Sequence, residues 1–225
     1  GIKMEGAPLR VWVISDSIFS GYPQSKGMPF ALQQLQLNPD LTRTVRPIEL
    51  VGTLTPGSSE TWVMNSPRTN ALNGATSADL DTATNGYLAS IGEIDIMILQ
   101  AGINDIIAGT PTATIISHLQ SIIDKFNASS NKTADAKVYV VNRIPPLNAI
   151  YDAAVDELNA GILTLTGTDG FVDEFTGWVP ATMTIAGDGH PSFPATWTIT
   201  PDYSYGVWYQ AKLVFQKIFG HNPGV

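Results

Sequence analysis

With 225 residues, 44% of them apolar and only 14% charged, the chain is long enough for one continuous core, and we expect a single domain over residues 1–225. A net charge of -8 with no basic run argues against a nucleic-acid partner, and no apolar stretch reaches the roughly 18 to 20 residues of a membrane helix. The absence of cysteine excludes disulfides, thiolate metal sites and a cysteine nucleophile.

Leu9 to Ser15 is an apolar run ending in polar residues and reads as a buried strand. Pro29 to Leu37 predicts a short helix stopped by Asn38-Pro39, and Val45 to Gly52 a second strand. Thr53 to Asn73, rich in Ser, Thr, Pro and Asn, reads as a long loop before a helix from about Ala75 to Ile91. Ile94 to Gln100 is the strongest strand signal. Pro111 suits a first helical position, and Ile115, Leu119, Ile122 and Phe126 then recur at helical spacing. A strand over Lys137 to Ile144 closes at Pro145-Pro146. A helix over Ala149 to Leu165, a short strand over Gly170 to Phe175 and a final helix over Tyr205 to Phe219, ended by Gly220, complete the series.

Strands alternating with helices favour a parallel sheet covered on both faces, and such sheets bind ligands at the carboxyl ends of their strands. Ser17 and Asn104 both fall just past strand ends, on one rim. The irregular stretch from Gly177 to Asp202 reads as an insertion around His190. The low charge leaves the surface to Thr, Ser, Asn and Gly, a composition that fits an extracellular or particle-surface protein. No basic segment followed by an apolar one marks a signal peptide, and Gly1 in place of Met fits a processed or excised piece.

Three segments supply the parts of an acyl-transfer site: Ile14-Ser15-Asp16-Ser17, Gly102-Ile103-Asn104-Asp105 and Asp188-Gly189-His190-Pro191. A serine hydroxyl needs a base to become a nucleophile, and Ser17 lies where a side chain and its N–H emerge above a sheet. Taken alone, Asp16 and Ser17 equally suit a turn cap, and Asn104-Asp105 a local turn. The Asn104 amide is a candidate oxyanion donor, and the Gly74 N–H, ahead of a predicted helix, is another, with Gly57 competing. Of the three histidines, His118 lies within a helix and His221 in the tail, which leaves His190 beside Asp188 as the base.

Jointly these segments resemble the SGNH, or GDSL-like, hydrolase family, whose four blocks occur here in order. Ile14-Ser15-Asp16-Ser17 is similar to the G-D-S block with Ser15 in place of Gly, Asn73-Gly74-Ala75-Thr76-Ser77 to the second block, and Gly102-Ile103-Asn104-Asp105 to G-x-N-D. Val140 to Pro146 also looks like the family's segment after its fourth strand. The last block departs: the family reads D-x-x-H-P, but Gly187 occupies the acid's position and Asp188 lies only two residues before His190. Asp188, Asp173, Glu174 or a backbone carbonyl is then left to orient the imidazole, with Asp188 preferred. The segment from Ser192 to Tyr203 is also longer than the family's.

The resemblance implies a flavodoxin-like, three-layer α/β/α sandwich around a five-stranded parallel sheet, and a serine esterase needing no metal or cofactor. Ser17 would be the nucleophile, His190 the base, and Gly74 N–H, Ser17 N–H and the Asn104 amide the oxyanion hole. Trp62, Trp178 and Trp197 fall in predicted loops, where they would either stack on sugar rings or pack in the core. We expect acetyl esters of a saccharide as substrate, since the polar, anionic composition fits a surface-acting enzyme better than a lipase needing an apolar landing face. The alternatives are a lipolytic esterase, lysophospholipase or thioesterase, or a non-catalytic carbohydrate-binding domain on the same scaffold, as in a phage tail or adhesion protein.

Overall fold

Val11, Trp12, Val13 and Ile14 are consecutive along one strand yet fully buried, which requires helices on both faces of the sheet. A computed structural model, which describes residues 5–20, 27–36, 45–54, 68–194 and 200–220, has that arrangement. The strands are β1 (Leu9–Ser15), β2 (Ile48–Val51), β3 (Asn70–Ala71), β4 (Ile94–Gln100), β5 (Lys132–Val141) and β6 (Gly170–Val172), all paired in parallel. Their order is β2-β1-β4-β5-β6, with β3 against the C-terminal end of β1. The helices are α1 (Ser17–Ser20), α2 (Met28–Leu35), α3 (Ser77–Ser90), α4 (Ile103–Ile107), α5 (Thr112–Asn127), α6 (Asp152–Ile162), α7 (Pro180–Met183) and α8 (Gly206–Phe219).

Side chains alternate across the sheet and divide the core in two. Val11 and Val13 of β1 and Ile96 and Ile98 of β4 meet α2 and α8 on one face. Trp12, Ile14, Met97 and Leu99 meet α3, α5 and α6 on the other. Each fully buried side chain of this size contributes about 1.5 to 3 kcal/mol by leaving water. Strand order reverses between β1 and β4, which is where a ligand crevice opens in such a sheet. Ser15 pairs with Gln100, so both strands end level at that crevice.

The sheet has one strand more than expected, because β3 lies inside the stretch read as loop. Two residues are too few for a periodic signal. The second strand begins at Ile48 and not Val45, after Pro47, which has no N–H to give a ladder. β5 starts earlier, at Lys132, because its polar first half still pairs with β4 across a register shift. The helix expected over 149–165 divides into a single 3₁₀ turn, Ala149–Tyr151, and α6. α3 begins at Ser77, where Thr76 and Asp79 form a reciprocal capping box. Gly220 ends α8 in the left-handed conformation, φ 72°. Asn38-Pro39, Gly57, Trp62, Trp197 and His221 lie outside the described residues.

Gly102 joins β4 to α4 at φ 124°, and an added Cβ would lie 2.5 Å from Leu158 Cδ2. Gly102→Ala combines backbone strain with overpacking and is expected to lose about 2 to 4 kcal/mol, read as a lower urea midpoint at unchanged m-value.

Candidate active site

β1 ends at Ser15, and the next residue, Asp16, is fully buried. A carboxylate there is costly unless hydrogen-bonded and paired, and Asp16 is both. Its Oδ1 accepts the Ile18 N–H at 3.0 Å, the contact of an N-cap, which makes Ser17 the first residue of α1. Arg143 Nη1 lies 3.2 and 3.5 Å from its two oxygens, with the Arg143 side chain only 1% exposed. The Arg143 main chain is itself held, donating to Asn159 Oδ1 at 2.7 Å and accepting from Asn159 Nδ2 at 3.1 Å.

Ser17 Oγ lies 2.8 Å from His190 Nε2, and His190 Nδ1 contacts Asp188 Oδ1. The Asp188 to His190 segment is a tight turn and not the extended run that would also align residues two apart. The Ile185 carbonyl accepts the N–H groups of Asp188 and Gly189 at 3.1 and 3.3 Å, and the Ile185 N–H donates to the His190 carbonyl at 2.8 Å. Gly187 at φ 77° and Gly189 at φ 85° let the chain fold this tightly. The other acids are engaged elsewhere. Asp173 accepts the N–H groups of Phe175 and Thr176 and the Asn142 amide, which hold its carboxyl below the ordinary range against the opposing effect of burial. His118 bonds Asp81, joining α5 to α3 far from this site.

Asn104 sits at the start of α4, and one hydrogen of its amide is donated to the Ala75 carbonyl at 2.8 Å. The neighbouring Asp105, 1% exposed, accepts both the Ser77 N–H at 2.8 Å and the Ser77 hydroxyl at 2.7 Å. The Gly102 to Asp105 and Asn73 to Ser77 segments are therefore latched together. Leu72 N–H also donates to the Ser15 carbonyl at 2.8 Å, and Ser20 Oγ contacts Asn73 Oδ1, so the same segment runs beside the turn that carries Ser17. Gly74 lies exposed within it at φ 75°.

A cavity of about 220 Å³ opens beside Ser17 and His190. Ile103, Ile107, Ile144, Pro145 and Leu147 form much of its wall, and Arg143 lies against it. Trp178 is no part of it. It is 7% exposed, donates to Thr184 Oγ1 and packs edge-on against Tyr209, so core packing accounts for it. Among the described residues, no cluster of three His, Cys, Asp or Glu could hold a metal ion.

Sequence reasoning missed Arg143 and the latching role of Asp105. Arg143 had a signal, being one of only 12 Lys and Arg and lying just past the apolar run Val138 to Val141.

No family model and no curated protein matches the sequence. Solved structures do. A carbohydrate esterase of family 3 from Talaromyces cellulolyticus is 18% identical, with a TM-score of 0.67 over 94% of this chain and 97% of that one. An acetyl esterase mutant with acetate ion is 17% identical, with a TM-score of 0.66 over 94% and 97%. A member of the lipolytic G-D-S-L family from Veillonella parvula is 13% identical, with a TM-score of 0.57 over 95% and 99%. The chain has the SGNH hydrolase fold, the three-layer α/β/α architecture expected from its motifs.

Glu174, fully buried, gives a pH test of this region. Burial raises its carboxyl to about 8 against the opposing effects of hydrogen bonds from Gln210 and Gln100 and the charge of Arg143. The folded chain then keeps a proton that the unfolded chain loses near the ordinary 4.5. The contribution of this group to stability is full below that value and is lost as pH rises towards 8. Between pH 5 and 8, the melting temperature of wild type should fall further than that of Glu174→Gln, by at least the ~2 to 4 °C that 1 kcal/mol represents at this size.

Proposed function

We propose that this protein is a serine esterase that removes short acyl groups, acetyl first, from a saccharide. The observation that carries the reading is the unbroken chain of contacts from Ser17 Oγ through the His190 ring to Asp188, at the crevice between β1 and β4. In this reading His190 Nε2 takes the proton from Ser17 Oγ as that oxygen attacks the ester carbonyl. Asp188 holds the ring and stabilises the imidazolium. The second hydrogen of the Asn104 amide, with the Ser17 and Gly74 N–H groups, meets the developing oxyanion. His190 then protonates the leaving alcohol, and a water activated by the same ring releases the acid.

The small cavity beside Ser17 supports a short acyl group. A saccharide as the alcohol is supported by the likeness to an acetyl esterase and a carbohydrate esterase, and by the polar, weakly charged composition, which also suits action at a cell or particle surface. One observation favours a second reading, a lipolytic esterase. Ile107 and Leu147 line the cavity while 56% and 54% exposed, and Ile150 nearby in the chain is 73% exposed. That is more apolar surface at the mouth than the composition led us to expect.

Release of acetate from a panel of acetylated polysaccharides, beside a p-nitrophenyl ester series, tests both. Ser17→Ala should lower turnover of p-nitrophenyl acetate by about 10⁴-fold or more. Equal, near-background hydrolysis by wild type and Ser17→Ala with saccharide binding retained would sink the enzyme reading in favour of a binding domain. Octanoate cleaved far faster than acetate would transfer the assignment to a lipolytic enzyme.

A further inference from the structure

We infer that Arg143 is a positioning residue for Ser17, acting through Asp16. This rests on the reading of Ser17 as the nucleophile. Arg143 follows β5 and Asp16 follows β1, and β4 lies between those strands, so the side chain reaches past the end of β4 to make its ion pair. Both partners are at most 1% exposed. A buried ion pair is weak as a stabilising device, because desolvation offsets most of the attraction and well-packed apolar side chains often do as well. An apolar pair, however, cannot orient a carboxylate.

Orientation is what the nucleophile turn requires. With Arg143 Nη1 against both of its oxygens, the Asp16 carboxylate is held where Oδ1 accepts the Ile18 N–H. That contact sets the backbone between β1 and α1, and with it the direction of the Ser17 Cα–Cβ bond. It also occupies the Ile18 N–H and not that of Ser17, the donor assigned to the oxyanion. The main chain of Arg143 is pinned to Asn159 of α6, and residues 143–148 continue as the cavity wall. One side chain therefore ties the wall to the turn that carries Ser17. Glu174 also feels the charge of Arg143, but its side-chain hydrogen bonds come from Gln100 and Gln210, and burial raises its carboxyl to about 8.

The test compares wild type with Arg143→Lys and with the double variant Asp16→Asn/Arg143→Met, which leaves no unpaired buried charge to unfold the chain. Folded protein is verified by circular dichroism. Two rates are then measured: labelling of Ser17 by a fluorophosphonate, and turnover of p-nitrophenyl acetate. We expect kcat and the labelling rate to fall together, on the order of 100-fold in the double variant and less in Arg143→Lys, with KM nearly unchanged. A merely structural role would lower the melting temperature and leave both rates of the folded protein alone. Either folded variant labelled as fast as wild type would overturn the inference while the nucleophile assignment stands. Wild type that resists labelling altogether would overturn the Ser17 reading, and this inference with it.

Discussion

The pairing of β1 with β4, in register from Val11 and Ile96 to Ser15 and Gln100, determines where every polar group of the candidate site falls. Level strand ends put Asp16 and Ser17 opposite Gly102 and Asn104 across the point where strand order reverses. A slip of one residue would flip one strand, exchanging Val11 and Val13 for the bulkier Trp12 and Ile14 on the α2 and α8 face, so that neither core would be filled by side chains of the right size. The hydrophobic pattern of two strands thus specifies the alignment of the site to within a residue, although none of the site's own side chains supplies that energy.

The rim built on this register is unusually polar for a buried region. Asp16 with Arg143, Asp105 with Ser77, and Glu174 with Gln100 and Gln210 all lie at or just past strand ends. Each buries a carboxyl that water would otherwise solvate, so each has to be matched locally. The three solutions differ. Asp16 takes a guanidinium, Asp105 takes one N–H and one hydroxyl from a helix start, and Glu174 takes two side-chain amides while burial raises its carboxyl to about 8. Two of the three latch neighbouring segments around Ser17, which relates the expense of buried polarity to the rigidity of the turn that carries it.

How much of this could be read from sequence follows from the range of the interactions involved. β1, β4, α5 and α8 announced themselves because their apolar side chains repeat over whole elements. β3, α1 and α4 did not, since two to five residues carry no period; their places depend on pairing with β1 and on Gly102. Ser17, Asn104 and His190 were legible as types in a familiar order, and Asp188 as the preferred of several acids, but their mutual distances were not. Arg143 stood out as a rare charge beside a strand, but its role did not, because its partner lies 127 positions away. Trp178 illustrates the converse: its segment looked like loop, yet its indole N–H finds Thr184 Oγ1 and its ring fills core.

The shortened spacing of the last block bears on how a carboxylate reaches an imidazole. With two residues between acid and base, the chain can make a helical turn and set both side chains on one side. With one residue between them, an extended strand would also align them, but a strand would continue outward from the sheet. Here the Ile185 carbonyl gathers two N–H groups and the chain returns on itself, so Thr184 and Pro191 form an antiparallel bridge below the turn. The left-handed glycines Gly187 and Gly189 make that return possible, and a Cβ on Gly189 would meet Leu147 Cβ at 3.3 Å. The loss of one residue is therefore compensated by backbone conformation. The same glycine lets the turn that carries His190 sit close against the cavity wall, so the geometry at His190 and the width of the cavity are linked at a single position.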